Sequence, residues 1–435
     1  MKRAGLLFVS SLLCGAQVLT LNDAVALAIR ENRNVQISAL DVAKAGEVVE
    51  ETKTARLPQL STYILGGETL TPINFTIPKG ALGVYPSIGP IPTQNSNITT
   101  PQSFNAFLFL SAAQPLTQLR KIGLAIRESH VGEESAQESL RQKKQDTAHQ
   151  VKEAYYQIVQ TQTQISSAQE SLKYLTELAA LTDRNLAEQT VLKSDSLNVK
   201  AKLSQQRYQL LVLQDTLASQ KEALNRLLGR DLATDFSVEE QLLPTLAELD
   251  LAAARKEAAE QRSEIREARL QTKKAELDIR REHAEYLPDI SIQVSYISIP
   301  NISFAPKNIL SAGFLLQWQP FDWGQKKHKI EELKSTSRQA TLTAQDAEQQ
   351  VLLDVNQKYR KLMETRAQLD TQAAVQETER EKLRVMMNQY QQKSALLADL
   401  LQQQASVAHA DNQYQQALAG FWTAKAGFDR ALGRD

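Results

Sequence analysis

The sequence predicts a mixed α and β membrane protein made of two copies of one unit, each with long antiparallel helices and a pair of amphipathic strands. Three observations predict it: an internal duplication, two very long proline-free helical regions, and four segments in which apolar and polar residues alternate. The 435 residues exceed what one compact core usually holds. The 50 basic and 50 acidic residues leave no net charge, which argues against nucleic acid as a partner.

The first 16 residues have the pattern of a secretory signal. Lys2 and Arg3 precede an apolar stretch over residues 4–13, and small residues follow at 14–16. We therefore expect residues 1–16 to be a signal peptide that is removed on export. Because Cys14 is the only cysteine, the processed chain has no thiol for a disulfide, a zinc site or catalysis.

The rest of the chain is a tandem duplication. The motif Leu-Gly-Arg-Asp at residues 228–231 recurs at 432–435, and the stretch 21–35 resembles 251–265. A Leu-Pro dipeptide follows each of these stretches and begins a strand-like segment. The matched positions define the boundaries of the two repeats.

These matches divide the chain into a first repeat over residues 17–231, a linker over 232–250 and a second repeat over 251–435. The first repeat has a longer segment between its two strands, and this segment holds six prolines. Such a composition disfavours regular pairing. It predicts an irregular, exposed loop over residues 72–101.

Each repeat is expected to hold a β-hairpin, at about residues 58–115 and 288–320. In the second hairpin, apolar residues occupy alternate positions: Ile290, Ile292, Val294, Tyr296, Leu310, Ala312, Phe314, Leu316 and Trp318. Strands of about ten residues are long enough to cross a bilayer when tilted. The first hairpin repeats this layout more weakly, with Phe107 and Phe109 on one side.

Three aromatic residues, Trp318, Phe321 and Trp323, cluster where the second hairpin ends, and their rings suit a membrane–water boundary. The alternative is that both hairpins pack on a soluble core. The surrounding helices are polar and offer no matching apolar layer, which favours the membrane.

A long helical hairpin follows each pair of strands, at about residues 116–231 and 321–435. Apolar residues recur at alternating spacings of three and four, which is the pattern of a coiled-coil seam. The polar stretches 185–196 and 388–399 are where the helices are expected to turn back. Asp195 and Asp399 occupy equivalent positions in the two turns.

Four strands cannot close a membrane barrel, and an open sheet edge in hydrocarbon leaves backbone groups unpaired at a cost of several kcal/mol each. Oligomers are therefore expected if the strands insert. Closure needs at least eight strands, so two copies are the minimum and three copies give twelve. The residues alone do not choose between two and three.

Several motifs together resemble the TolC family of outer-membrane channels. They are Leu-Asn-Asp-Ala-Val-Ala-Leu-Ala at 21–28, Leu-Pro before each strand pair, Gln-Pro-Phe-Asp-Trp-Gly at 319–324, and the duplicated turn. The resemblance implies a homotrimer with a transmembrane β-barrel, to which each chain contributes four strands, and a long antiparallel α-helical coiled-coil barrel. It also implies location in the outer membrane of a Gram-negative bacterium, with the tunnel projecting into the periplasm.

As a function, the resemblance implies the exit duct of a tripartite efflux pump or a type I secretion system. The implied partners are outer-membrane lipid, a periplasmic adaptor (membrane-fusion) protein and an inner-membrane pump of the RND or ABC type.

The resemblance also places a gate at the turns. Tyr390 and Asp195 match one link that holds the family's tunnel closed, and Ser194 matches a neighbouring hydroxyl. Asp399 matches one of two acidic positions at the constriction, and Gln402 takes the place of the second. The alternative is that these are solvated tip residues. A second latch of the family needs an arginine where this chain has Ala395.

The adaptor-docking tips correspond to Gln189 and Thr190 in the first turn and to Lys393 and Ser394 in the second. The glycine usual at each tip is replaced by Gln189 and Lys393, so docking contacts are not transferable residue by residue.

No catalytic motif or cofactor site is evident. The five histidines are scattered, and none forms a His-Glu-x-x-His motif. We therefore expect neither an enzyme nor a bound cofactor or metal. The alternative function is a soluble periplasmic coiled-coil scaffold or adaptor, which explains the seams but not the amphipathic strands.

Overall fold

The computed structural model describes residues 17–68, 70–72, 74–99, 104–189, 191–239, 250–299, 306–392 and 394–434. The predicted signal peptide lies outside the described residues, and so do Thr190 and Lys393.

The helices and long strands recur in the same order in both repeats, as the duplication predicts. The first repeat contains β1 (Gln17–Leu19), α1 (Leu21–Glu31), α2 (Arg33–Thr54), β2 (Gln59–Glu68), β3 (Asn74–Ile77), β4 (Val84–Tyr85), β5 (Gly89–Pro90), β6 (Ser96–Thr99), β7 (Phe104–Pro115), α3 (Leu119–Ala187) and α4 (Lys193–Leu227). After it come β8 (Phe236–Val238), α5 (Leu251–Gln261), α6 (Ser263–Ala284), β9 (Asp289–Ser298), β10 (Asn308–Gln317), α7 (Gln325–Gln391) and α8 (Leu397–Ala431).

The chain forms two compact units. The strand unit comprises Gly46–Val131 and Lys274–Ser337. The helical unit comprises the described residues up to Ala45, together with Gly132–Lys273 and those from Arg338 onward.

The strand unit contains one antiparallel sheet with the strand order β10-β9-β7-β2. The chain enters or leaves a helix at the same end of all four strands, and we call this the helix end of the sheet. Within the described ranges, β2 and β10 each pair on one side only. Both are exposed along their whole length in the single chain. The sheet therefore has two open edges.

Paired residues of an antiparallel sheet point to the same face, so the register defines two faces. The apolar face carries Leu60, Ile64, Leu108, Leu110, Ile290, Ile292, Val294, Tyr296, Leu310, Ala312, Phe314 and Leu316. The opposite face, which we call the serine face, carries a row of serines to which each strand contributes one: Ser61, Ser111, Ser295 and Ser311. Their hydroxyls pair at 2.7 Å within the first hairpin and 2.8 Å within the second.

The first hairpin places aromatic rings on the serine face. Tyr63 stacks on Phe109 with centroids 4.4 Å apart, and Phe107 lies 6.4 Å from Phe109. Phe107 and Phe109 do share one side, as predicted, but it is the side opposite the apolar residues of the second hairpin. On the apolar face, the first hairpin contributes leucine and isoleucine side chains instead.

Of the prediction of an irregular, exposed loop over residues 72–101, the irregularity is wrong, whereas most of the described residues there are exposed. β3 pairs with β6, and β4 pairs with β5, both antiparallel. Pro72 and Pro78 lie on either side of β3, and Pro86 follows β4, so these prolines border the short strands. The intervening segments are rich in β-branched and aromatic residues, which favour strands.

The helical unit includes a short parallel pair of β1 and β8. Tyr155 of α3 joins them, because its buried hydroxyl donates to the Leu19 carbonyl at 2.9 Å and accepts from the Glu239 backbone N–H at 3.0 Å. β8 lies inside the segment predicted as a linker. That segment therefore contributes Phe236, which is buried, to the main apolar core.

The repeated Leu-Gly-Arg-Asp motif closes each repeat against a break in its opening helix. α1 ends at Glu31, and the side chain of the next residue, Asn32, donates to the Leu227 carbonyl at 2.7 Å. Gly229 has a φ of +72°, and an added Cβ would lie 2.2 Å from the Glu31 carbonyl oxygen. Only glycine tolerates both conditions.

The second repeat uses the same arrangement with different chemistry. Gly433, with a φ of +80°, lies against Gln261 at the end of α5. Arg262 takes the place of the asparagine at the break and donates to Asp354 at 3.1 Å and weakly to the Arg430 carbonyl at 3.4 Å. An ion pair therefore supports the closure of the second repeat.

The predicted seams are the inward sides of the helix pairs. Val151, Ile158, Thr161 and Leu175 are buried on α3, and Phe421 and Phe428 are buried on α8. Every helix within the described ranges is too short or too polar for a transmembrane helix.

Candidate functional site

The two predicted turns lie between long helices, both in the helical unit. α3 ends at Ala187 and α4 begins at Lys193, while α7 ends at Gln391 and α8 begins at Leu397. The residue before α4 is Leu192, whose apolar side chain cannot accept a hydrogen bond and so cannot cap the helix. Asp195 supplies the carboxylate instead, accepting from the Leu192 backbone N–H at 3.3 Å. Asp399 occupies the equivalent position in the first turn of α8.

Side chains from both helical hairpins form a small apolar cluster beside the turns, which we call the tip cluster. Its buried members are Leu178, Ala179 and Val199, and Tyr174, Leu203, Tyr390, Leu397 and Leu401 pack against them. Tyr390 of the second hairpin is therefore packed on residues of the first. The side chain predicted to hold the gate lies where the two hairpins meet.

A groove of about 1050 Å³ runs beside the tip cluster and is lined by Tyr174, Tyr390 and Asp195, among others. Burial, with a contribution from Tyr390, raises the pKa of Tyr174 to about 12. Burial and then the Asp195 carboxylate raise the pKa of Tyr390. Both phenols are therefore protonated at neutral pH and able to donate.

The predicted link between Tyr390 and Asp195 is not a formed hydrogen bond in the single chain. The two residues line the same groove, but among the described contacts the Asp195 carboxylate bonds to the backbone of its own helix. The Tyr174 hydroxyl is buried without a hydrogen-bond partner within the described ranges. The groove thus holds two phenol donors beside one carboxylate.

The other predicted positions of the turns are exposed. Ser194, Asp399 and Gln402 lie on the surface of the single chain. Gln189 is exposed and has a φ of +60°, a conformation more usual for glycine. The Ser394 hydroxyl donates to the Gln389 carbonyl at 2.9 Å, which closes the second turn.

Sequence reasoning missed an ion-pair network in the first hairpin. Asp183 of α3 accepts from the Ser196 hydroxyl at 2.7 Å and pairs with Lys200 at 2.9 Å, both on α4. These two partners lower the pKa of Asp183. The contact is therefore complete at neutral pH, and it is lost only as the pH falls through this lowered pKa.

The second hairpin has no counterpart of this network. The equivalent positions in the second repeat are Met387, Leu400 and Gln404, which cannot form an ion pair. The sequence could have indicated this network, because the two copies differ at these matched positions.

The predicted membrane-interface aromatics lie in the strand unit, at the helix end of the sheet. Trp318, Phe321 and Trp323 are exposed, and the rings of Phe321 and Trp323 pack edge to face with centroids 4.7 Å apart. The Trp318 indole donates weakly to the Tyr286 carbonyl at 3.3 Å.

Within the described ranges, no group of three or more His, Cys, Asp or Glu side chains is placed to hold a metal ion.

Comparison with solved structures shows the same fold in outer-membrane proteins at low sequence identity. The chain is similar to CusC, studied for transmembrane channel formation, with a TM-score of 0.78 and 16% identity, covering 95% of this chain and 92% of that one. The outer-membrane channel OprN matches with a TM-score of 0.76 and 17% identity over 95% and 90% of the two chains. VceC from Vibrio cholerae matches with a TM-score of 0.75 and 15% identity over 95% and 96%.

No curated protein sequence matches the chain. A family profile does match, and it covers residues 24–230 and 254–434, which is most of both repeats. The family is described as "Outer membrane efflux protein". The duplicated helical hairpins, the open-edged sheet with its apolar face and this match together establish that the chain belongs to the outer membrane efflux protein family.

Proposed function

We propose that three copies of this chain close one twelve-stranded barrel and form an exit duct that a periplasmic adaptor and an inner-membrane pump feed. The chain is an outer-membrane channel of the efflux type, with its helical part projecting into the periplasm. The family is a channel family and not an enzyme family.

The observation that carries the proposal is the sheet with two open edges and one continuous apolar face. Lipid cannot satisfy the backbone N–H and C=O groups of β2 and β10, so each edge needs a strand from another copy. Pairing β10 of one copy with β2 of the next closes a ring. Three copies supply twelve strands, the number that the resemblance to the TolC family implies.

The serine face then lines the water-filled lumen. The row of Ser61, Ser111, Ser295 and Ser311 gives each copy a band of hydroxyls. Strands in a closed barrel tilt, so these bands slant around the lumen and do not form a level ring. Polar interiors and apolar exteriors are the rule for such barrels.

We infer that the helical turns form the gate. Tyr390, anchored in the tip cluster, is placed to donate to Asp195 when the second hairpin packs tightly on the first, with Ser194 beside it. The network of Asp183 with Ser196 and Lys200 holds α3 to α4 in the first hairpin. The ion pair of Arg380 with Asp411 at 2.9 Å holds α7 to α8 in the second.

Asp399 and Gln402, both exposed on α8, are proposed to face the constriction. Three copies then present three carboxylates at that level, which favours cations. The neutral Gln402 halves the charge that two acidic positions would give.

Family channels work with adaptor proteins and inner-membrane pumps. For this chain we propose an adaptor that docks at the turns, near Gln189, Thr190, Lys393 and Ser394, and a pump of the RND or ABC type. The exposed groove beside the turns supports docking there. The alternative of a soluble periplasmic scaffold does not agree with membership of an outer-membrane family.

Single-channel recording in planar bilayers tests the pore and the gate together. The purified protein should give discrete conductance steps, and Tyr390→Phe should shift the channel toward its open state about fivefold, the value of one hydrogen bond of about 1 kcal/mol. Tyr208→Phe is the matched control, because Tyr208 is an exposed tyrosine of α4 outside the tip cluster. Equal open times in both variants would contradict the latch, and absence of conductance steps would contradict the pore.

A further inference from the structure

The connection between β10 and α7 presents an unusually exposed group of aromatic rings. Trp318, Phe321 and Trp323 are 56%, 66% and 88% exposed. They lie at the helix end of the sheet and continue from the apolar face, whose last residue on β10 is Leu316. We call residues 318–329 the β10–α7 turn.

In the β10–α7 turn, the exposed Trp323 has a strained backbone conformation. Trp323 has a φ of +55°, and a left-handed conformation costs a non-glycine residue roughly 1–2 kcal/mol. Asp322 stabilises this conformation by accepting from the backbone N–H groups of Gly324 and Lys326, each at 3.0 Å. Presenting an indole to water in this way gains nothing, whereas the membrane–water boundary favours it.

Three lysines follow the aromatic rings, and they differ in their contacts. Lys326 donates to the Gln319 carbonyl at 3.0 Å and lies 5.7 Å from the Tyr286 ring centroid. Lys329 pairs with Glu332 at 2.8 Å. Lys327 is exposed and forms no ion pair or hydrogen bond among the described contacts.

The acid next to Lys327 is already paired. Glu331 binds Lys334 at 2.8 Å, which lowers the pKa of Glu331, with a smaller contribution from Lys327. The charge of Lys327, four residues after Trp323, is therefore free for an external anion.

We propose that the β10–α7 turn binds an anionic phospholipid of the periplasmic leaflet. Trp323 and Phe321 lie against the glycerol and upper acyl region, and Lys327 contacts the headgroup phosphate. Two features select this occupant: the rings continue the lipid-facing apolar face, and the unpaired ammonium complements a phosphate. The helix end of the sheet is its periplasmic end, because the helical part of the channel projects into the periplasm.

The first repeat has no such site. Its corresponding turn is closed internally, since the Thr117 hydroxyl donates to the Pro288 carbonyl at 2.7 Å and accepts from the Ile290 N–H at 2.8 Å. Lys121 there is paired with both Glu285 and Asp289 at 2.8 Å. Of these two corresponding turns, both among the described residues, the one in the second repeat is therefore the lipid site.

Tryptophan fluorescence tests the site in the full-length channel. The variant Trp318→Phe leaves Trp323 as the exposed reporter, while Trp422, buried in the helical unit, gives a constant background. The protein is reconstituted in vesicles of phosphatidylcholine to which brominated phosphatidylglycerol or brominated phosphatidylcholine is added. We expect half-maximal quenching of Trp323 at about fivefold less phosphatidylglycerol, which corresponds to about 1 kcal/mol for one lysine near the surface.

Lys327→Gln should remove this preference, whereas Lys361→Gln, which removes an exposed lysine of α7 in the helical unit, should keep it. Equal quenching by both lipids, or a preference that survives Lys327→Gln, would overturn the lipid site. Absence of quenching by either lipid would place Trp323 away from the membrane and also overturn it. The inference depends on the outer-membrane location and not on the number of copies, so its failure leaves the trimer and its gate untouched.

Discussion

Replacing Phe314 by arginine is expected to prevent stable insertion of the channel into membranes. Phe314 lies in the middle of β10 on the apolar face and is 79% exposed in the single chain. Arginine near the bilayer midplane on a barrel's lipid face costs about 2–4 kcal/mol, and each copy of the oligomer incurs that cost. The measurement is the fraction of protein that stays in outer membranes after a carbonate wash.

Leu315→Arg is the matched control. Leu315 is the next residue on the same strand but belongs to the serine face, opposite Ser291. Its side chain is expected to point into the water-filled lumen, where arginine keeps its hydration. We expect normal membrane retention for this variant. Similar losses for both variants would contradict the assignment of the two faces.

Replacing Gly229 by alanine is expected to unfold the closure of the first repeat. The new Cβ would need to lie 2.2 Å from the Glu31 carbonyl oxygen, so the backbone has to move. The left-handed φ of +72° adds roughly 1–2 kcal/mol for any residue with a Cβ. Together these effects should cost more than 3 kcal/mol, seen as loss of the heat-resistant oligomer and a large fall in the thermal transition temperature.

Two further variants calibrate this effect. Gly433→Ala meets Gln261 at 3.1 Å, a less severe contact, and should destabilise less than Gly229→Ala. Gly132→Ala, inside α3, has open space around it and should be neutral or stabilising by about 0.5–1 kcal/mol. If Gly229→Ala behaves like Gly132→Ala, the motif does not close the repeat in the way described.

The periodic parts of the fold were predictable from the sequence. The long helices, their turning points near Asp195 and Asp399 and the four long strands follow from spacings of 3.6 and 2 residues over many positions. The short strands β3 to β6 were not predictable in this way. Segments of two to four residues give too little periodicity, and six prolines dominate the composition of that region.

The candidate gate was only partly predictable. Tyr390 and Asp195 came from a resemblance, and the structure places them in one groove without a formed bond. The network of Asp183 with Ser196 and Lys200 depends on how closely α3 approaches α4 after the turn. The helical spacing of polar residues does not encode that distance, since a solvated surface and an interhelical contact look the same in one sequence.

The repeated motif illustrates the same limit. Its recurrence marked the ends of the two repeats, but the role of Gly229 required the position of Glu31, almost two hundred residues earlier in the chain. Asn32 and Arg262 occupy matched breaks with unlike side chains.

Native mass spectrometry of the channel, released from outer membranes in a mild detergent, tests most directly whether the open edges of β2 and β10 pair between copies. We expect a single species with three times the mass of the processed chain. A monomer that remains folded in that detergent, with β2 and β10 unpaired, would contradict it.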